Sequence, residues 1–295
     1  KDADATCYMA KDKGRNRIQE YHAEDLEMAE RHGEMQWVER INQALEEDKF
    51  CLYAQPIMPL DGSAEKHYEI LLRMIDDNVD IISPGIFLPA AERYNLISKI
   101  DRWVIEHAFG LLAENPAFLK QINFCSINLS GQSITENDFL GYIMTQLKDS
   151  GIQGEKICFE ITETAAISNL STAMNFISTL KGLKCRFALD DFGSGLSSFG
   201  YLNNLPVDHL KIDGMFVKNI IDDSIDHAIV KSINEIGHVM GMKTIAEFVE
   251  NDTIKGMLKD IGVNYGQGYG IGIPQPFDEL LGKSNSVNDL EICKA

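Results

Sequence analysis

Long apolar runs are missing from this chain: none reaches the ~18 residues needed to cross a bilayer, and no signal peptide is expected. The spacing C-x-x-C is also missing, although there are six cysteines: Cys7, Cys51, Cys125, Cys158, Cys185 and Cys293. Three of these fall inside apolar strand-like patterns. Buried free thiols in a reducing compartment are therefore expected, ahead of zinc ligands or disulfides. Basic residues are scarce, with 27 Lys and Arg against 45 Asp and Glu and a formal net charge of -18. Such a surface argues against sequence-independent binding of DNA or RNA, which rests on Lys and Arg meeting phosphates. An anionic ligand would need something other than surface charge to hold it, and a metal ion is the obvious candidate. The histidines show no ligand spacing; His107, His227 and His238 fall on helical patterns, while the tyrosines and Trp37 read as packing residues.

What is present is ordinary globular composition. The 295 residues, 44% hydrophobic and 24% charged, are enough for one large barrel or two modest domains. Residues 1–22 hold too few apolar side chains for a core. Residues 23–33 are charged and linker-like, and Met35, Val38, Ile41 and Leu45 then recur at helical spacing. Strands are expected at 50–58 and 67–75, with Asp61-Gly62 as the turn between them. The connection is too short for a parallel crossover, so this pair is antiparallel.

Beyond it, helical patterns at 86–95, 97–113, 134–149, 169–181, 195–203, 224–240 and 253–261 alternate with strand patterns at 123–130, 156–163, 185–192, 209–213, 243–250 and 265–272. Eight strands, the last six alternating with helices, predict an α/β fold: a (β/α)8 TIM-type barrel with an antiparallel first strand. The barrel is placed at 34–282, followed by a polar, frayed tail at 283–295. Because the first residue is Lys1, the chain is read as a cytoplasmic fragment of something larger, with any membrane anchor outside the fragment and no membrane contact from the fragment itself.

The strand ends carry the chemistry. Reading them in order gives Glu69 and Arg73, Asn128, Glu160 and Glu163, Asp190 and Asp191, Lys211 and Asp213, Glu247 and Glu250, and Gln267. Random placement would mix lysines and serines freely among these positions. Carboxylates converging at one mouth need cations to stay ionised, and oxygen-only ligation favours Mg²⁺ or Mn²⁺ over zinc. Plainer readings stand beside this one. Glu250 and Asp213 read equally well as solvated strand-end acids. Lys211 reads equally as a structural partner of a barrel carboxylate. Gly268, Gly270 and Gly272 read as a tight last strand ahead of a phosphate cradle.

With these residues in view, the stretch Tyr68-Glu69-Ile70-Leu71-Leu72-Arg73 resembles the E-x-L-x-R signature of EAL-domain cyclic di-GMP phosphodiesterases. The order around it is similar too: Gln55-Pro56-Ile57, Ile127-Asn128-Leu129-Ser130, Phe159-Glu160-Ile161-Thr162-Glu163, Asp190-Asp191-Phe192-Gly193, Leu210-Lys211-Ile212-Asp213, Ala246-Glu247 and Gln267-Gly268-Tyr269. The match covers about residues 34–280 in register. Near the start, Ala3-Asp4-Ala5, Tyr8, Ala10-Lys11 and Gly14-Arg15-Asn16-Arg17 resemble the closing lines of GGDEF (diguanylate cyclase) domains. The catalytic part of such a domain is absent, so no cyclase activity is expected.

The resemblance implies hydrolysis of cyclic di-GMP to linear pGpG by two metal ions. Glu69, Asn128, Glu160 and Asp190 would hold one ion, and Asp190, Asp191 and Glu247 the other. Glu69, Lys211 and Glu247 would be catalytic, with Lys211 orienting or deprotonating the attacking water. Gln55, Leu71, Arg73, Asp213, Glu250 and Gln267 would contact substrate, and Glu163 would pin the loop at 192–199. A homodimer is implied as well. Two departures from the pattern stand out. Ile70 replaces the usual Ala and is expected to face away from the metals. Phe248 occupies a position that is often Gly; extended strand geometry there is expected to accommodate it. The alternatives are a catalytically silent cyclic di-GMP receptor, which usually lacks one or more of the acids, and a Mg²⁺ lyase or isomerase acting next to a carboxylate.

Overall fold

Inward-facing side chains set the plan of the molecule. In a strand, alternate residues share a face, and six of the eight barrel strands here place an apolar or aromatic residue inward with a polar one two positions on. The pairs are His67 and Glu69, Cys158 and Glu160, Ala188 and Asp190, His209 and Lys211, Ile245 and Glu247, and Tyr265 and Gln267. The apolar members form small clusters of their own, Phe124 with Cys158 and Ala188, and Ile57 with Ile245 and Tyr265. They are separate from the large core between barrel and helices.

The computed structural model describes residues 23–78, 80–193 and 200–282, with backbone alone for 23–34. The expected GGDEF remnant at 1–22 and tail at 283–295 lie outside the described residues. A single helix, α1 (Ala23–Glu46), runs across both the charged segment and the amphipathic one. The barrel strands are β1 (Phe50–Pro59), β2 (His67–Ile75), β4 (Phe124–Leu129), β5 (Ile157–Thr162), β6 (Arg186–Phe192), β7 (His209–Ile212), β8 (Lys243–Ala246) and β9 (Tyr265–Gly266). They close in the order β1-β2-β4-β5-β6-β7-β8-β9, and β9 returns to β1. Every pairing from β2 to β9 is parallel; β1 is antiparallel to both neighbours. The TIM-type barrel with a reversed first strand is therefore the fold. Two short antiparallel strands, β3 (Ile81–Ile82) and β10 (Gln275–Pro276), extend the edges of β2 and β1.

The reversal of β1 matters for the site. On the parallel strands the polar inward residue follows the apolar one, whereas on β1 Gln55 precedes Ile57. Both arrangements put the polar residue at the same end of the barrel.

Some strand ends differ from expectation. The 243–250 pattern stops at Ala246, and the 265–272 pattern stops at Gly266. Beyond both, the chain forms interlocked loops: Val249 N donates to Gln267 O at 2.9 Å, and Gly270 N to Val249 O at 2.8 Å. A Cβ on Gly268 would lie 2.6 Å from Val249 O, so glycine here serves close backbone approach and not a strand. The expected helix over 134–149 is interrupted at 136–138, where Glu136 accepts from Ser98 Oγ at 2.6 Å. Asn251 caps the helix Asp252–Ile261 through the backbone N–H of Thr253 and Ile254, fixing the loop just before it. Among the described residues Cys51, Cys125, Cys158 and Cys185 are free thiols. No described helix is long and apolar enough to cross a membrane.

The end of the barrel opposite the polar one holds two buried histidines that sequence reading overlooked. Each Nδ1 of His67 and His209 lacks a hydrogen-bond partner, and Tyr265 OH and His67 Nε2 share Glu65. Burial is the main reason that His67 is pushed down to about 4 and His209 to about 3, against weaker support from Glu65 and Asp208. A histidine with a depressed folded value stays neutral while the unfolded chain takes up a proton, so it removes stability as pH falls below the ordinary histidine value. Each group adds about 1.4 kcal/mol per pH unit to that slope. Urea unfolding of wild type and His209→Gln between pH 5 and 6 is expected to show a slope shallower in the variant by about that amount. Equal slopes would mean that His209 already titrates in the folded protein.

Candidate active site

Lys211 is the hub of the polar end. It is 1% exposed, and its Nζ lies 2.6 Å from Glu160 Oε2, 2.9 Å from Glu247 Oε1, 3.0 Å from Asp190 Oδ1 and 3.4 Å from Glu69 Oε2. Burial works against its charge, but Asp190, Glu160, Glu247 and Glu69 together outweigh it and hold the lysine well above its ordinary value. Glu69 is also buried, yet Lys211, Gln267 and Asn128 keep it below the usual range. Its Oε1 accepts from Asn128 Nδ2 at 2.6 Å and its Oε2 from Gln267 Nε2 at 2.6 Å. Gln267 Nε2 also donates to Gln55 Oε1 at 3.2 Å. One lysine is too little compensation for so many acids. Burial, with repulsion from neighbouring carboxylates, pushes both Glu160 and Glu247 up to about 8 despite Lys211.

Asp190 and Asp191 are adjacent, so simple alternation would send them to opposite faces of β6. The backbone prevents this. The β6–β7 register shifts between Leu189 and Phe192, and Asp191 takes φ 53°. Carboxylate oxygens of Asp190, Asp191 and Glu247 consequently come within 4.8 Å of one another. Burial and then Asp190 raise Asp191 above the ordinary range.

Phe248 also corrects the extended geometry expected for it. The strand has ended, and Phe248 sits in the left-handed region at φ 51°. That conformation costs a bulky residue about 1–3 kcal/mol. Glu247 is nonetheless in place beside Lys211. Ile70 faces the outer core between barrel and helices.

A groove of about 400 Å³ adjoins the cluster. Gln55, Glu69, Leu71, Arg73, Glu247, Glu250 and Gln267 line it, together with Phe248, Tyr269 and Pro274. Arg73 stands over the Tyr53 ring with 5.3 Å between guanidinium and ring centroid. Tyr269, read from sequence as packing, is 74% exposed at the groove; nothing in its spacing distinguished it from a core tyrosine. Asp213 stands apart from the lining, where its Oδ1 caps the turn Gly214–Val217 by accepting from Met215 N at 2.8 Å. Glu163 opens the helix Glu163–Ser168 and accepts from Gly193 N at 3.1 Å and from Tyr201 OH. It thus ties together the two described ends of the loop after β6. Tyr201 carries no signal in the sequence, since a partner thirty-eight residues away leaves no local pattern.

In barrels of this class chemistry gathers where the parallel strands end, and here that end is the acidic one. Residues 38–274 match the EAL domain, and the chain belongs to that family. It is 47% identical to cyclic di-GMP phosphodiesterase PdeB of Shewanella oneidensis over 94% of this chain and 32% of the relative. It is 40% identical to cyclic di-GMP phosphodiesterase PdeF of Escherichia coli over 85% of this chain and 33% of the relative. The chain therefore spans about a third of the length of these relatives. Among solved structures, the MucR phosphodiesterase in complex with c-di-GMP is similar at TM-score 0.77 and 30% identity, covering 83% of this chain and 99% of that one. The FimX EAL domain of Pseudomonas aeruginosa bound to c-di-GMP is similar at TM-score 0.75 and 32% identity, covering 81% and 96%.

Proposed function

We propose that this chain is a metal-dependent phosphodiesterase that hydrolyses cyclic di-GMP to linear pGpG in bacterial second-messenger signalling. The observation that carries the reading is the mouth itself, where Glu69, Glu160, Asp190 and Glu247 surround one ammonium, with Asp191 close to Asp190 and Glu247, beside a groove lined by Arg73. The donor set fits hard divalent ions: it is all oxygen, and buried Glu160 Oε1 has no hydrogen-bond partner. Glu69, Asn128, Glu160 and Asp190 would hold one Mg²⁺ or Mn²⁺, and Asp190, Asp191 and Glu247 a second. Such ions supply Lewis-acid polarisation of the phosphate and a water nucleophile at neutral pH.

The protein's own residues do the rest. Arg73 grips a phosphate oxygen or guanine edge with its planar fork of donors. Gln55 and Gln267, joined to each other and to Glu69, orient the scissile end of the groove. Lys211 Nζ, held as the ammonium, orients the attacking water by donating a hydrogen bond and offsets charge that builds on the phosphorus oxygens. Glu163 holds the loop after Asp191 so that its carboxylate stays aimed. Similarity to relatives named as phosphodiesterases supports the same reading. The GGDEF remnant and a homodimer belong to this proposal on sequence resemblance.

The test is a product assay with purified protein, cyclic di-GMP and either Mg²⁺ or Mn²⁺, with and without chelator. Linear pGpG forming only with free divalent ion is expected. Tight binding with no product in either metal would instead make the chain a receptor. Neither binding nor turnover would point to the carboxylate lyase or isomerase reading.

A further inference from the structure

Gly214 has an ordinary backbone conformation, since it is absent from the positive-φ glycines. Glycine is therefore required there for space, and the space belongs to Phe248. A Cβ on Gly214 would overlap Phe248 Cδ2 and lie 2.6 Å from Cγ and 2.8 Å from Cε2. Lys218, further along the same segment, sets its Nζ 3.9 Å from the centroid of that ring. The ring is 48% exposed, so general burial does not hold it; its seat on Gly214 does. Gly214 lies just past the tip of the strand carrying Lys211, and Phe248 directly follows Glu247. One ring thus bridges the ends of the two strands whose Lys211 and Glu247 meet at 2.9 Å.

We propose that Gly214 and Phe248 form a positioning pair: the ring seated on Gly214 holds the left-handed turn after β8 and so aims Glu247 at Asp190 and Asp191. This rests on the reading of Glu247 as a metal ligand. Without the seat, a bulky side chain at φ 51° relaxes toward the extended region and swings the preceding carboxylate with it. The pair explains how a non-glycine residue is carried at this turn, and why glycine is needed just past the neighbouring strand, where conformation does not ask for it.

A double-mutant cycle tests the pair, using wild type, Gly214→Ala, Phe248→Gly and the double variant. Mn²⁺ binding is read by electron paramagnetic resonance of the free ion, and melting is followed in chelator. Gly214→Ala is expected to weaken Mn²⁺ binding by about tenfold, the lower range for a residue that orients a ligand. It should also lower the melting temperature by about 2–4 °C, although alanine is the better helix former. Phe248→Gly should keep Mn²⁺ affinity close to wild type, because glycine adopts the left-handed turn without strain. The double variant should behave like Phe248→Gly, the added methyl entering vacated space.

Wild-type Mn²⁺ binding unchanged by Gly214→Ala overturns this proposal alone. So does a Gly214→Ala penalty of equal size in both backgrounds. A wild-type protein that binds no Mn²⁺ overturns the metal reading and this proposal with it.

Discussion

Lys211→Met is expected to cost the metal-free protein about 3–5 kcal/mol of stability and to lower cyclic di-GMP turnover by about 10²–10³-fold. The stability loss follows from charge balance. Lys211 touches four carboxylates, and removing it leaves them facing each other across a buried space. Two of them, Glu160 and Glu247, are already raised to about 8 with the lysine present, so without it the cluster must take up protons to remain folded. The sign for the lysine itself is clear. Its folded value is raised, so its contribution is complete at neutral pH and fades only as pH climbs through that raised value. Divalent ions can replace its charge but not its hydrogen bond to the attacking water. Urea unfolding in chelator and in millimolar Mg²⁺ should therefore show a deficit that shrinks with metal, while turnover stays low in both. A variant equally stable in chelator would mean that the acids splay toward water and never depended on the lysine.

Asp190→Asn is expected to lower turnover by about three orders of magnitude, equivalent to the several kcal/mol that ion-assisted charge stabilisation supplies. Asp190 is the residue common to both proposed ligand sets, and its Oδ1 is also 3.0 Å from Lys211 Nζ. The amide keeps the shape, removes the charge, and presents N–H toward either the ammonium or an ion. Cyclic di-GMP binding should weaken far less, since Gln55, Leu71 and Arg73 reach the groove from β1 and β2. Calorimetric titration of ligand beside a pGpG assay separates the two effects. Wild-type turnover in the variant would remove Asp190 from the reaction, and loss of binding equal to loss of turnover would make it a substrate contact.

Much of this site was legible because parallel barrel strands obey a period of two. An apolar or aromatic residue followed two positions later by Glu69, Glu160, Asp190, Lys211, Glu247 or Gln267 is a local pattern, and closure of the barrel gathers them without further instruction. Asn128 departs from that pattern, since Ser126 and not an apolar residue stands two positions before it. Glu163 was placed near the mouth by its motif, but Tyr201, the second group it binds, arrives from across the loop. The limits show most clearly at Asp191 and Phe248. Strand propensity extends both segments, whereas the structure ends β8 at Ala246 and turns each residue into the left-handed region. Asp213 shows the converse: a strand-end acid by sequence, it caps the turn that follows.

The amino-acid order by itself determined the number and sequence of the barrel strands, the reversal of the first, and the collection of acids at one end, since each depends on short-range alternation or on the length of a connection. Tertiary structure alone decided which neighbouring acids face each other, where the last two strands stop, and that Gly214 makes room for Phe248. Those outcomes depend on backbone turns and close contacts between segments distant in the chain, and contact at a distance leaves no periodic trace in sequence.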